Sequence, residues 1–316
     1  MSVAPDPEAP ATLDQQAARL HALVGTDEPY QRRFRVRQAH WRELAGLPIG
    51  EHRGLPLGSR LAMPHAQDTL ANYLTENIRS VVRAEVIDGD PGAGKLYGKP
   101  RIFNDLLSSQ PMCFNLFGEM ALDLPLASRV FSALTSGRAA EVTSIAFEHS
   151  PGRGSAKYTG DRSAFDVFVE YQGPDEARGF LGIEVKYHES LKDRPGEHRD
   201  RYDVLAAAMA CFRPDKLAGL RDRPLQQVWR DHLLAGSLLL ASDAGYDEGT
   251  FVFLYPEENL RCGRAVEAYR ACLVPGCTSF VPWTLEAVVA AVRAAEAGSW
   301  IGDFEKRYMK VGAARG

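Results

Sequence analysis

The sequence predicts an α/β chain, a mixed sheet flanked by helices and preceded by a mostly helical N-terminal extension. Three observations carry that expectation. Apolar residues recur at helical spacing in the first hundred residues and again from about 112 to 135, four short runs rich in β-branched and aromatic residues follow, and further helical stretches interleave with them. At 316 residues, 45% hydrophobic and 25% charged, the chain can bury a sizeable core.

Residues 1 to about 12 are rich in Pro, Ala and acids and read as a disordered tail. From 13 to 45 the pattern gives two helices, and the Gly- and Pro-rich stretch 46–60 reads as a loop. Leu70, Leu74, Ile78 and Val81 or Val82 set a helix over 68–87 that ends before "EVI". A Gly/Pro turn follows at 88–98. There Gly89, Gly94 and Lys95 imitate a phosphate-cradling loop, but position 96 is Leu, where such a loop needs a hydroxyl for magnesium. The stretch 112–135 reads as helix, with a break at Pro111, a stop at Gly137 and Glu119 among apolar neighbours. Strands are expected at 142–149, 165–171, 180–187 and 250–255, the second and third close enough for a hairpin. Helices at 198–212 and 224–242 separate the third strand from the fourth; helix 264–273, a strand at 278–283 and helix 284–297 complete the order.

Composition narrows the function classes. A net charge of −4 gives no global attraction for nucleic acid, which counts against a passive binding module more than against an enzyme with a local basic patch. "YQRRFRVRQAHWR" is such a patch, read either as a solvated helix face or as a phosphate contact. The five cysteines are scattered without a CxxC pair, and His149, His198 and His232 are dispersed, so neither a disulfide scaffold nor a zinc site is expected. With no apolar run of membrane length and no leader pattern at the N-terminus, no membrane partner is expected and the cytoplasm is the expected compartment.

The chemistry concentrates in "GFLGIEVKYHESLKD". Strand alternation puts Glu184 and Lys186 on one face and Ile183 and Val185 on the other. A hairpin brings Asp166, from "FDVFVEY", beside Glu184. Two adjacent carboxylates repel, and a divalent cation relieves the repulsion; oxygen donors suit magnesium, or manganese in its place, better than zinc. Lys186 is then placed to orient or deprotonate a water, or to offset charge on a phosphate. A glycosidase would also use two carboxylates but gives the lysine no task.

Asp166 followed by Glu184-Val185-Lys186 resembles the D…(D/E)xK signature of the PD-(D/E)XK nuclease superfamily, and "SSQPMCFNLFGEM", "DVFVEY" and "GIEVKYHESL" resemble a bacterial restriction-endonuclease-like group within it. The resemblance covers residues 100 to 260 or so. It implies a restriction-endonuclease-like αβββαβ core in a nuclease domain at 101–316, with 1–100 as the extension. It also implies Asp166, Glu184 and Glu119 as metal ligands, Glu148 as the rival of Glu119, Lys186 as the catalytic lysine, and Gln227 or Gln226, with Arg230, directed toward the site. Phe165 stands where the motif has Pro, and Arg230 where an exonuclease pattern favours Tyr. Arg153, Lys157 and Tyr158 are phosphate-contact candidates, and His188 and Glu189 lie beside the motif.

The activity implied is Mg2+-dependent phosphodiester hydrolysis, with DNA the expected substrate, an endonucleolytic mode, and a homodimer as one way to cut both strands. The alternatives are a nuclease-like fold that only binds nucleic acid, an interaction protein whose paired charges steady a strand edge, and a P-loop enzyme.

Overall fold

The computed structural model describes residues 11–90, 93–241 and 243–309. Most of the expected tail, together with Pro91 and Gly92 of the expected turn, lies outside them. In chain order the elements are α1 (Leu13–Arg19), α2 (Pro29–Leu44), β1 (Ile49–His52), β2 (Leu55–Leu61), α3 (His65–Thr69), α4 (Glu76–Val82) and α5 (Arg101–Asn104). There follow α6 (Ser109–Leu122), α7 (Leu124–Leu134), β3 (Glu141–His149), β4 (Phe165–Gln172), β5 (Arg178–Val185), α8 (Asp200–Met209), α9 (Leu217–Leu220), α10 (Gln226–Leu240) and β6 (Glu248–Tyr255). The chain closes with α11 (Leu260–Arg270), β7 (Phe280–Thr284), α12 (Leu285–Ala294) and α13 (Trp300–Tyr308).

Strands β3 to β7 form one mixed sheet in sequence order: β3, β4 and β5 run as an antiparallel meander, and β6 and β7 add in parallel. Alternation divides its side chains between two cores. Val167, Val169, Leu181, Ile183, Val185, Val252 and Leu254 face one, shared with α6, α7, α12 and α13; Phe168, Phe180, Phe251 and Phe253 face the other, beneath α8, α10 and α11. The molecule is therefore a mixed α/β fold with a central sheet between helical layers, as its sequence pattern anticipates.

Two local readings are corrected. The expected loop at 46–60 contains the β1–β2 hairpin, closed by Arg53 and Gly54 at φ 54° and 77°, the positive pair that a two-residue turn needs to match strand twist. The expected helix over 68–87 is broken: Leu70 turns left-handed at φ 51°, Thr75 restarts the chain by capping Ile78 N at 3.1 Å, and a π-helical turn at Arg83–Ile87 carries it through "EVI".

The N-terminal segment shares the core beneath the sheet. Tyr30 and Phe34 of α2 are buried in it, Phe34 packs edge-on against Tyr187 at 4.6 Å, and Gln38 Nε2 donates to Tyr187 Oη at 3.0 Å. Tyr187 directly follows Lys186, so α2 braces the end of the candidate motif. The arginines of α2 have partners within the protein itself. Arg35 pairs with Asp27, Arg37 with Glu258 and Arg32 with Asp14, while Arg42 donates to the carbonyls of Gly58 and Leu47.

Gly182 of β5 lies beneath the Phe165 ring, where a Cβ would stand 2.5 Å from a ring carbon. Gly182→Ala must therefore displace the ring beside Asp166. We expect a loss of about 1–3 kcal/mol in stability, measured as a lower denaturant midpoint with unchanged slope.

Candidate active site

The register of the sheet brings the acids together. Val167 pairs with Ile183, so Asp166 stands one step further on, opposite Glu184; Phe147 pairs with Val167 and His149 with Phe165, which brackets Glu148 against Asp166. The register therefore sets one acidic residue on each of three neighbouring strands in a row at the same end of the sheet. Glu148 sits at φ 49°, a left-handed conformation that costs a non-glycine residue about 1–2 kcal/mol and bends the end of β3.

Each acid is held by specific partners. Asp166 Oδ2 accepts from Val185 N at 2.8 Å. Glu184 Oε1 accepts from Lys186 Nζ at 2.5 Å and from Gln227 Nε2, on α10, at 2.7 Å. Glu148 Oε2 accepts from Gln110 Nε2 at 3.3 Å, and its Oε1 lies 3.7 Å from Arg153 Nη2. Glu184 and Lys186 are buried, which makes their charges costly unless paired.

The electrostatics follow from enclosure and like charge. Burial, then the charge of Glu184, raises the pKa of Asp166 well above the usual carboxylate range, with Lys186 opposing. Glu148 is raised by the same two causes, against Arg153. Burial disfavours the Lys186 ammonium, but Glu184, Glu189 and Asp166 together outweigh burial and raise its pKa. Those neighbouring acids favour the ammonium form of Lys186.

Asp231 joins this group and was not anticipated. It is buried on α10, its Oδ2 has no hydrogen-bond partner, and burial followed by the Glu184 charge raises its pKa well above the ordinary value. It lies four residues after Gln227, one helical turn along the same face; that spacing was the signal available in the sequence. Both residues line a cavity of about 290 Å³ together with Glu184, Arg194, Arg223 and Arg230.

The other candidates fall in different places. Glu119 is apart from the row: its carboxylate accepts from Thr75 Oγ1 and, at 3.0 Å, from Asn77 Nδ2 at the start of α4. Gln110, in the first turn of α6, is the residue of that helix that reaches Glu148, and Glu119 lies nine residues on, about 13 Å along the axis. Gln226 exchanges hydrogen bonds with the backbone of Gly196, fixing the loop that walls the cavity, and Arg230 pairs with Asp161 at 3.0 Å. Lys157 pairs with Asp243, and the Tyr158 carbonyl accepts from Arg201. Arg153 differs, since none of its three guanidinium nitrogens has a hydrogen-bond partner. His188 and Glu189 offer their carbonyls to α2, and the Glu189 carboxylate accepts from Tyr187 N at 2.6 Å. Lys95 pairs with Glu85, leaving the phosphate-loop imitation engaged in an internal ion pair.

Hard oxygen donors, the partnerless Asp231 oxygen and mutually repelling carboxylates fit a divalent cation of the magnesium type. The acids are not drawn to ligand spacing: among the described residues, the group of three whose ligand atoms all lie within 4.8 Å of one another is Cys211, His232 and Cys277. No helix among the described residues is long and apolar enough to cross a membrane.

Among curated proteins and solved structures nothing matches the chain. A family profile matches it over residues 25–310, which takes in most of the N-terminal segment that the motif resemblance leaves outside. With that match spanning α2 through α13 and the sheet that carries the acidic row, the chain belongs to the PD-(D/E)XK nuclease superfamily.

Proposed function

We propose that the protein is a divalent-metal-dependent nuclease that hydrolyses phosphodiester bonds in DNA, cutting internally. The observation that carries this reading is the row of Glu148, Asp166 and Glu184 on three neighbouring strands, with Lys186 paired to its last member. Asp166 and Glu184 are the residues to hold the cation, with Glu148 in place of Glu119 as the third acid. When bound, the cation supplies an acidified water and neutralises developing charge at phosphorus.

The protein's own groups supply the remainder. Lys186, kept as an ammonium by its acidic neighbours, orients the attacking water and offsets phosphate charge; removing a proton is the poorer role for a lysine whose pKa is raised. Gln227 holds the Glu184 carboxylate in position from α10. Arg153, whose buried guanidinium lies 3.7 Å from Glu148 and has no hydrogen-bond partner, could turn its planar fork to a phosphate oxygen once a cation holds Glu148.

The test is incubation of the purified protein with supercoiled circular DNA, linear duplex, single-stranded DNA and RNA in magnesium, manganese or EDTA, with Glu184→Gln alongside. Cation-dependent nicking of the circle by wild type, and its loss in the variant, supports the reading. Cutting confined to RNA or to free ends would replace the substrate or the mode. If every substrate stays intact and calorimetry detects no magnesium or manganese binding, the fold serves nucleic-acid or partner binding instead.

A further inference from the structure

Beyond the acidic row the structure gathers a second set of metal-binding side chains. Cys211 follows α8, His232 lies in α10 and Cys277 precedes β7, and their ligand atoms lie within 4.8 Å of one another. We propose that Cys211, His232 and Cys277 form a site for a thiophilic divalent transition ion, zinc above all, that pins α10 to the segment after α8 and to the turn before β7.

The donor set sets the chemistry. Two sulfurs and one imidazole are the soft and borderline ligands that zinc prefers, and three protein ligands leave a fourth position for water or a hydroxyl. The Ser279 hydroxyl lies beside the group, 2.8 Å from His232 Nε2 and 3.3 Å from Cys277 Sγ. Magnesium would find no carboxylate in this group, so the two candidate sites differ in the ion they select.

The surroundings hold the ligands in place. His232 is wholly buried, and its Nδ1 lies 2.8 Å from the hydroxyl of Tyr269, itself buried on α11. With Nδ1–H donating to that oxygen, Nε2 is left as the unprotonated nitrogen that can ligate, as an outer partner of a metal-binding histidine commonly arranges. Cys277 is presented by a tight turn: its N–H donates to Val274 O at 3.2 Å, with Pro275 second and Gly276 at φ 82° third. Val274 N in turn donates to Cys211 O at 3.0 Å, which sets the two cysteine-bearing segments side by side.

The site lies apart from the acids on the same face of the sheet. His232 stacks near Phe251, two residues before Phe253, which pairs with Glu184; along α10 it lies five residues beyond Gln227. A metal here would fix the helix that carries Gln227 and Asp231. The inference does not depend on the nuclease reading.

The test uses the full-length reduced protein. Elemental analysis after purification without chelator, followed by titration of the stripped protein with cobalt(II), should give one equivalent per chain, with visible ligand-field bands and a near-ultraviolet thiolate-to-cobalt charge-transfer band that carboxylate ligands cannot produce. Cys277→Ser, at the half-buried ligand, should remove much of that band and weaken binding at least tenfold, while Glu184→Gln leaves the band unchanged. His232→Gln serves as a second variant should Cys277→Ser not fold. Folded, reduced wild type that shows no charge-transfer band overturns the proposal, as does a Cys277→Ser protein with the full wild-type band. A mass lower by two hydrogens in the isolated protein, with no metal bound after reduction, assigns the pair to a disulfide and overturns it equally.

Discussion

Lys186→Ala is expected to abolish metal-dependent cutting, lowering the single-turnover rate on supercoiled DNA by about 10²–10³-fold, the range found when one preorganised donor to a developing charge is removed. The lysine is buried beside Glu184 and is held as a cation by three carboxylates. Alanine leaves those acids unopposed, so some stability should be lost with the activity, because breaking a buried pair strands the remaining charge. Thermal unfolding in the assay buffer separates the two effects, and Lys186→Arg supplies the control, since it keeps the charge but changes its reach. A rate unchanged by alanine in a folded protein would remove Lys186 from the chemistry.

Asp166→Asn is expected to separate stability from activity in opposite directions. The folded protein forces this carboxyl into an enclosed site next to Glu184, and its pKa is raised above the unfolded value. The sign follows by linkage: above both values the ionised group destabilises the folded state, and that penalty shrinks as pH falls below the folded pKa and is gone below the unfolded one. Asparagine keeps an oxygen for Val185 N while removing the charge. Without added cation the variant should therefore be more stable than wild type at neutral pH by about 0.5–2 kcal/mol, a few degrees in Tm, with the difference shrinking as pH is lowered. Cutting should be lost in the same protein. Denaturant unfolding at several pH values in EDTA checks the first part; a variant no more stable than wild type would show that Lys186 compensates Asp166 fully.

Such a penalty has the character of a site shaped for a ligand. Glu148, Asp166 and Asp231 all have raised pKa values, and Glu184 contributes to each shift. Added magnesium should offset the cost in wild type and leave Asp166→Asn less affected, so the two Tm values converge as the cation is titrated.

Much of this was legible along the chain because local periodicity is a local property. The alternation in "FDVFVEY" and "GIEVKY" reflects a strand with one face on each core, and the short "QGPDEARG" link between them specifies a hairpin. Those two facts bring Asp166 beside Glu184, and the register of β4 on β5 sets the two opposite one another. Other local signals were present and went unread: Arg53-Gly54 between Ile49-Gly50-Glu51-His52 and Leu55 is a turn signature, and Asp231 stands one turn from Gln227.

Elsewhere the sequence was ambiguous for a physical reason. Glu119 and Glu148 are equally acidic in the sequence, but the length of α6 carries Glu119 away to the start of α4, while the register of β3 on β4 sets Glu148 beside Asp166. The arginines of α2 read equally well as a solvated face or a phosphate contact, and only packing gave them internal acids and carbonyls as partners. The cysteines and histidines were judged too dispersed for a metal, because spacing detects ligands only when they share a loop or a helix. Cys211, His232 and Cys277 come from three elements that adjoin only once the sheet has formed. The sequence by itself determined the strands of the central sheet, the β4–β5 hairpin and the Asp166, Glu184 and Lys186 motif, since each depends on neighbours a few residues away. Tertiary structure alone set Glu148 beside Asp166 and Glu119 at the start of α4, and decided the place of Asp231 and the sulfur–imidazole cluster, since each depends on which distant segments the cores press together.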